Sequence, residues 1–320
     1  RRQRQMCIRD STSEDLLYAV PVPEQAGVSN TTVTMNAASM NNSGFEFSAT
    51  YRNRDHDFKY EVSANLSTLR NRVTSLGFGT DSYISGSYIT KVGQEIGQFY
   101  GWVYEGIART QEDLDNHATQ EGAQIGDCLY KDVNNDGKVD SEDQVVLGSG
   151  MPKINFGLNA RFEYKRFDLS IATFGALNYH VSDDIYNSLN SCYGWGNKEV
   201  GMLEANRFSE DGSTYLSNVP RTYVTNSASL GWNDLFSSRK IQNAAYWKIA
   251  NVELGYNFPD KWFGKYVSDV RFYVSAQNLH TFTGYHGYNV DYAGGTFTPG
   301  YNFCSYPTAR TFMCGVHFTF

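Results

Sequence analysis

The stretch that decides the fold is Ile154-Asn-Phe-Gly-Leu-Asn-Ala-Arg-Phe-Glu-Tyr164, followed by Lys165-Arg166 and then Phe167-Asp-Leu-Ser-Ile-Ala-Thr173. Apolar and polar side chains alternate along both segments, which is typical of β-strands with one apolar and one polar face. Because only two residues separate the segments, we expect an antiparallel hairpin. The first segment is as long as a tilted strand that crosses a bilayer, whereas strands of water-soluble sheets are usually shorter.

The same alternation recurs outward from this hairpin, in residues 45–51, 58–66, 250–258, 270–276 and 312–320. The connections alternate in length. Residues 52–57, 165–166 and 259–268 are short, whereas 67–153, 176–245 and 281–309 are long. Outer-membrane barrels show this asymmetry, with short periplasmic turns and long external loops. Aromatic residues also mark the short-turn end of the strands, as in a girdle at a membrane interface: Tyr51, Phe58, Tyr164, Phe167, Phe258 and Phe320.

Strand parity predicts which side chains face lipid and which face the barrel lumen, since a charge near the bilayer midplane costs ~2–4 kcal/mol. The lipid-facing set is Phe156, Leu158, Val252, Leu254, Val274, Val316 and Phe318. The lumen-facing set is Asn155, Asn159, Arg161, Glu253, Arg271, Gln277 and His317. In the first long connection we expect local β structure around 96–107 and a short helix within 111–120.

Composition narrows the function classes. The 320 residues hold 27 Lys and Arg against 34 Asp and Glu, a net charge of -7 that argues against a general nucleic-acid binder. Apolar runs stay far below the ~18 residues of a transmembrane helix. The basic start of the chain, residues 1–11, is similar to translated sequencing-adapter read-through, so we expect a non-native leader there and assign residues 12–320 to the barrel.

The sharpest motif for chemistry is Asp132-Val-Asn-Asn-Asp-Gly-Lys-Val-Asp-Ser-Glu-Asp143. It matches the twelve-residue calcium loop of EF-hands, with Gly137 at the sharp turn and Asp143 in place of the last Glu. Calcium prefers six to eight hard oxygen ligands. We therefore predict a structural Ca2+ site within 126–150, with these ligands: Asp132, Asn134, Asp136, the Lys138 carbonyl, Asp140 and Asp143. The alternative is an Asx-rich turn without metal.

Other candidate sites are weaker. The spacing of His, Ser and Gly gives no catalytic or phosphate-binding motif, so we do not expect an enzyme. Asp183-Asp184 is interpreted as a solvated turn, and a Cys192–Cys304 bridge is left open. The long loops carry aromatic residues that suit oligosaccharide or peptide ligands: Tyr193, Trp195, Trp232, Tyr288, Tyr292 and Tyr301.

Several blocks of sequence, in one order from about residue 12 to the end, resemble a known family. The blocks are 36–47, 96–107, 126–137, 148–157, 246–259, 271–279, 285–288, 306–307 and 310–320. Together they are similar to the SusC/RagA-like TonB-dependent transporters.

This resemblance implies an all-β fold, an antiparallel transmembrane β-barrel of which the chain is roughly the C-terminal third. Barrels of this class have 22 strands. The resemblance also implies a place in the cell outer membrane, in contact with outer-membrane lipid. It implies active import of oligosaccharides or similar nutrients together with a SusD-like lipoprotein, and contact with the TonB complex through an N-terminal part that lies outside this sequence.

Two alternatives stay open at the level of sequence. One is a self-contained small outer-membrane barrel that acts as a porin or adhesin. The other is a secreted, calcium-stabilised β-sandwich that binds carbohydrate. All three have strands with one apolar and one polar face, so alternation does not separate them.

Overall fold

The computed structural model describes residues 2–21, 32–77, 79–192, 196–222, 231–259, 262, 267, 269–291 and 294–319. For residues 2–9, 15–21 and 32–37 it describes the backbone alone.

Most described residues lie in strands or in the loops between them, and the two α-helices are short. The strands are β1 Arg2–Pro21, β2 Thr32–Asn53, β3 Phe58–Thr68, β4 Arg70–Ser75, β5 Ser82–Ser85, β6 Tyr88–Lys91, β7 Gln98–Gly101, β8 Tyr104–Ile107, β9 Cys128–Tyr130, β10 Val145–Ser149, β11 Ile154–Tyr164, β12 Phe167–Leu177, β13 His180–Asp183, β14 Gln242–Asn243, β15 Tyr246–Asn257, β16 Asp269–Thr283, β17 Tyr301–Asn302 and β18 Thr311–Thr319. The helices are α1 Gln111–Asp115 and α2 Asp184–Leu189, and single 3-10 turns span Ser141–Asp143, Val200–Glu204, Trp232–Asp234 and Ser238–Lys240. Among the described residues, no helix is both long enough and apolar enough to cross a membrane.

One large antiparallel sheet forms the body of the described chain. Eight of its nine strands follow the order β1-β2-β3-β11-β12-β15-β16-β18, and the ninth, β4, pairs with β2. In the described part of the chain, β1 and β18 are the two edges of this sheet, which is therefore open. The antiparallel all-β class expected from the sequence is confirmed. Residues 2–11 lie in β1, paired to residues 42–51, and their non-native origin stays a prediction.

The deciding hairpin forms as expected. Tyr164 pairs with Phe167, so Lys165-Arg166 make a two-residue turn, and Lys165 has a left-handed φ of 55°. A two-residue hairpin turn with positive φ matches the twist of its strands. This turn fixes the register of β11 against β12 from Tyr164↔Phe167 to Ile154↔Leu177.

The strand register confirms that the two predicted sets lie on opposite faces of the sheet. Leu158 pairs with Thr173 of β12. Ile171, two residues before Thr173 and so on the same face, pairs with Val252. Leu254 in turn pairs with Val274. On the other face, Arg161 pairs with Ser170, which pairs with Glu253. Large apolar side chains on the first face remain exposed, including Leu158 at 44%, Leu254 at 45% and Val316 at 48%. The polar face instead carries ion pairs.

Aromatic rings border the apolar face at two levels. At the short-turn end, the rings of Phe58 and Phe162 stack at 6.0 Å, and those of Phe167 and Tyr256 lie 4.8 Å apart. At the long-loop end, Trp247 stacks on Phe282 at 5.3 Å. Tyr256 lies nine positions after Trp247 on β15. This is about 30 Å along the strand, or about 23 Å across a bilayer at a tilt near 40°. This height matches the apolar band of an outer-membrane barrel, which is about 25 Å.

A register shift between β15 and β16 places Trp247 in the aromatic row at the long-loop end of the apolar face. The pairing of β15 with β16 slips between Ile249 and Asn251, so that Ala250 has no direct partner. Simple alternation would put Trp247 on the polar face with Asn251 and Glu253. The bulge reverses the parity and brings Trp247 to the apolar face.

The long connections fold onto the far end of the sheet. The β structure expected around 96–107 is present as β7 and β8, and the expected helix is the shorter α1. Strands β5, β6, β7 and β10 form a separate small sheet, and β8 pairs with β9. Helix α1 begins with a capping box in which the Thr110 side chain accepts from the Asp113 backbone N–H and the Asp113 side chain accepts from that of Thr110.

Candidate functional site

An ion-pair bridge on the polar face joins strands that are not neighbours. Arg271 of β16 donates from Nε to Asp168 Oδ1 of β12 at 3.0 Å. It also donates from Nη2 to Glu253 Oε1 of β15 at 2.8 Å. Arg271 can pass over β15 because Gly255 has no side chain, and a Cβ there would collide with both the guanidinium and the Asp168 carboxylate. The polar face is therefore charged, and this bridge, with one guanidinium and two carboxylates, keeps a formal charge of -1.

A groove of about 570 Å³ opens on the polar face, where the strands enter the long loops. Its strand side presents Asn155, Phe174 and Tyr246, and its loop side presents Tyr179 and Asp291. The Tyr246 hydroxyl donates to Asp291 Oδ1 at 2.8 Å, and Lys248 Nζ donates to Oδ2 at 2.6 Å. Rings beside fixed polar groups suit a polar organic ligand such as a sugar or a peptide.

A buried carboxylate, that of Asp183, joins loop segments near this groove by hydrogen bonds. Asp183 is 3% exposed and accepts hydrogen bonds from the Tyr285 hydroxyl and, at 3.1 Å, from Asn302 Nδ2. The interpretation of Asp183-Asp184 as a solvated turn is therefore wrong for Asp183. The partners lie more than 100 residues along the chain, so the sequence carries no local signal for this contact.

A second buried carboxylate holds three outer segments together. Asp127 is fully buried and pairs with Arg221, whose Nη2 lies 3.1 Å from Oδ2. Asn233 Nδ2 donates to Asp127 Oδ1 at 2.7 Å, and the Asn233 side-chain oxygen accepts from the Cys128 backbone N–H. We call the residues around it, 102–143, 205–222 and 231–240, the outer module. Sequence spacing carries no signal for this contact either.

The predicted substrate residues do not form one cluster among the described residues. Trp232 lies in the outer module, with its ring 6.2 Å from that of Tyr130. Tyr288 is 66% exposed, and Tyr301 of β17 stacks on Phe303. Tyr193, Trp195 and Tyr292 lie outside the described residues.

The predicted calcium loop is an ordered turn. Asp132 accepts the backbone N–H groups of Asn135 and Gly137, at 2.6 and 2.9 Å. Asn135 and Gly137 have left-handed φ values of 60° and 84°, as a sharp turn requires. Within the described ranges, no group of three or more His, Cys, Asp or Glu side chains comes close enough to hold a metal.

Asp143 anchors the end of that loop. Its side chain is fully buried and accepts the backbone N–H groups of Val133 at 2.8 Å and Asp140 at 2.9 Å. Burial acts to raise the pKa of this carboxyl, but the backbone N–H donors outweigh burial and lower it. Asp143 is therefore a carboxylate at neutral pH. Its Oδ1 also accepts the backbone N–H of Asn134 at 3.3 Å, so acceptor capacity for a cation remains at Oδ2, which among the described residues accepts only the Asp140 N–H.

Two of the described thiols, Cys128 and Cys192, are buried, and two, Cys304 and Cys314, are exposed. Cys128, Cys192, Cys304 and Cys314 are free, so the Cys192–Cys304 bridge is not formed. Burial raises the pKa of Cys128 to about 12 and that of Cys192 to about 11. Both stay protonated at neutral pH and are weak nucleophiles.

The fold and the faces of the sheet define the class of protein. An antiparallel sheet has an apolar face of bilayer height, a charged opposite face, short turns at one end and folded loops at the other. These are the features of part of an outer-membrane-type β-barrel.

Comparison with known proteins shows which proteins the chain is similar to. No family model matches the chain. The chain is 30% identical over 327 residues to TonB-dependent receptor P3 of Formosa agariphila, across 96% of this chain and 31% of that receptor. It is 25% identical over 315 residues to TonB-dependent receptor SusC of Bacteroides thetaiotaomicron, across 96% of this chain and 29% of that receptor. The chain is therefore a homologue of one region of the SusC-like TonB-dependent receptors, and the resemblance drawn from its sequence blocks is confirmed.

A solved structure shares the fold. The RagAB peptide transporter matches with a TM-score of 0.79 at 21% identity, across 100% of this chain and 33% of that chain. The chain thus spans about a third of the length of the proteins it matches. These relatives are receptors and transporters, in agreement with the expectation that the chain is not an enzyme.

Proposed function

We propose that the chain forms part of a TonB-dependent active transporter in the cell outer membrane, which imports oligosaccharides or similar nutrients together with a SusD-like lipoprotein. The observation that carries this proposal is the two-faced sheet. Its apolar face lies between aromatic rows about 30 Å apart along the strand, which is about 23 Å across a bilayer at the usual tilt of barrel strands. Its polar face carries the Arg271 bridge and ends in a groove. Such a sheet separates lipid from a wet lumen through which a solute passes.

The open sheet also bears on the two alternatives. A β-sandwich packs two sheets face to face, whereas nine of the described strands belong to one sheet with an exposed apolar face. A small barrel would close on itself, and in the described chain β1 and β18 remain edges. Relatives about three times as long support a larger barrel.

The groove supports an oligosaccharide as the imported solute. Phe174 offers an exposed ring, Tyr179 and Tyr246 line the groove from a buried core, and Asn155 and Asp291 offer hydrogen-bonding groups. Sugars present apolar C–H faces and hydroxyl edges to such a site. A peptide is the competing solute, since backbone amides would use the same polar groups.

Uptake by cells that carry the intact gene tests this proposal. Cells with and without the gene receive fluorescently labelled maltoheptaose, laminarihexaose, xylohexaose or a heptapeptide. We expect gene-dependent accumulation of at least one oligosaccharide, and a protonophore should stop it because active import needs the proton gradient. Accumulation that persists with the protonophore would indicate a passive porin, and accumulation of the peptide alone would refute the oligosaccharide.

We also propose that the loop Asp132–Asp143 binds one structural calcium ion. Support comes from its oxygen-rich residues, from the turn at Asn135 and Gly137, and from the ionised, buried Asp143. Calcium would relieve the repulsion among the loop carboxylates and stabilise the outer module, since a ligand that binds only the folded state adds stability.

Hydrogen exchange of the intact receptor tests the calcium site. With calcium present, residues 126–150 should exchange more slowly than with a chelator, and Asp136→Ala should abolish the difference. Glu112→Ala, an exposed carboxylate of α1 outside the loop, is the matched control. Equal exchange of 126–150 in calcium and in chelator would refute the site.

A further inference from the structure

A second groove, separate from the one on the polar face of the sheet, lies in the outer module. It has a volume of about 840 Å³, within the range of small-molecule sites. Two indole rings, Trp102 and Trp232, line it together with Leu235. Glu121, Gln124 and Ser141 lie at its rim.

Both indoles are fixed in orientation by hydrogen bonds to backbone carbonyls. Trp102 Nε1 donates to the Asp140 carbonyl at 2.9 Å, and Trp232 Nε1 donates to the Glu121 carbonyl at 3.0 Å. Each indole has one N–H donor, so the rings have no further donor to offer. What they present to a ligand is their apolar faces.

A common core supports the two rings. Trp102, Trp232 and Leu235 pack against the buried side chains of Tyr130 and Val139. Trp232 is further held through its carbonyl, which accepts from the Tyr130 hydroxyl. The indoles are therefore pre-organised, which lowers the ordering cost of binding.

The rim supplies polar groups that are available to a ligand. Glu121, Gln124 and Ser141 are exposed, and the Glu121 and Gln124 side chains make no hydrogen bond to another described residue. Fixed ring faces beside available carboxylate, amide and hydroxyl groups match a pyranose, which has an apolar C–H face and a polar edge of hydroxyls.

We propose that this groove is a surface capture site for an oligosaccharide, which stacks its sugar rings on Trp102 and Trp232 and bonds its hydroxyls to Glu121 and Gln124. The inference rests on the proposed import of oligosaccharides and deepens it, because it gives the external loops a binding role of their own. The site would raise the local concentration of the solute before it enters the lumen.

Binding without import provides the test. Cells that carry the intact receptor are treated with a protonophore and kept cold, and surface binding of labelled maltoheptaose, laminarihexaose and xylohexaose is titrated. Trp102→Ala and Trp232→Ala should each weaken the binding of at least one of these oligosaccharides about tenfold, as loss of a central aromatic anchor does. The matched control is Trp247→Ala, because Trp247 lies on the apolar face of the sheet.

Variants at the rim of the groove distinguish the loss of a ligand contact from a loss of folding in the outer module. Glu121→Gln and Gln124→Ala change exposed side chains and leave the Tyr130 core intact, and each should weaken binding about threefold. Unchanged binding in these rim variants and in Trp102→Ala would overturn the capture site. Binding of the labelled heptapeptide that depends on the same residues would also overturn it, in favour of a peptide site.

The proposed function and the capture site can fail separately. If uptake is gene-dependent while all four outer-module variants bind as the unmodified receptor does, the capture site is wrong and the importer stands. If the variants lose binding but uptake does not respond to the protonophore, the capture site stands and active import is wrong.

Discussion

Replacement of Asp127 by alanine should open the outer module while the barrel sheet stays intact. Asp127 is fully buried, and the Arg221 side chain is 17% exposed. The variant removes the ion pair, the bond from Asn233 Nδ2 and the bond from the Gln124 backbone N–H. Loss of one partner of a buried ion pair costs ~3–5 kcal/mol. Because Arg221 can regain some water, we take the lower end, about 3 kcal/mol.

Hydrogen exchange of the intact receptor in detergent measures this cost. A local destabilisation of about 3 kcal/mol raises exchange by about 100-fold, and the rise should be confined to residues 120–130, 215–222 and 231–235. Asp115→Ala is the matched control, because Asp115 is exposed at the end of α1. Replacing both Asp127 and Arg221 by apolar residues should restore much of the protection, since no charge is then left buried without a partner.

Two results would refute the reasoning about Asp127. A rise below about tenfold in all three segments would show that the ion pair does not hold the module. An equal rise in the strands β11, β12 and β15 would show that the module and the sheet open as one unit.

Three further predictions concern the sheet and α1. Gly255→Val should break the Arg271 bridge and lower the thermal unfolding midpoint of the intact receptor, because a side chain would collide with Arg271 and Asp168. Gly106→Val, at an open position, is the control. Equal unfolding midpoints for the two variants would contradict the bridge. Spin labels at Leu254 should be relaxed by lipid-soluble oxygen and labels at Glu253 by a water-soluble reagent, and the reverse would contradict the assignment of faces. The backbone N–H groups of Thr110 and Arg109 lower the pKa of Asp113. The stability that Asp113 contributes by capping α1 is therefore fully present above its unfolded pKa near 4, and it is lost as the pH falls through the lower pKa of the folded state. Hydrogen exchange of α1 should rise in acid as a result. Asp113→Asn should remove that pH dependence.

The local pattern of residues was sufficient to predict the strands of the main sheet and their two faces. Alternation from Ile154 to Tyr164 defines a strand and its two faces, because successive side chains in a strand point to opposite sides. The two-residue gap before Phe167 fixes the neighbouring strand and its register. The class of protein follows from features of this kind, each of which depends on residues that are close in sequence. The Asx-rich loop was also visible, since its spacing is local.

Only the tertiary structure decided the rest. The Ile249–Asn251 bulge brings Trp247 to the apolar face against simple alternation. Asp127 meets Arg221 across 94 residues, and Asp183 meets Tyr285 across 102. Trp102 and Trp232 line one groove although 130 residues separate them. The physical reason is that a strand's two faces depend on backbone geometry and near neighbours, whereas buried ion pairs and grooves depend on which loops share a volume. That choice is made by the packing of the whole chain, and no short-range pattern in the sequence records it.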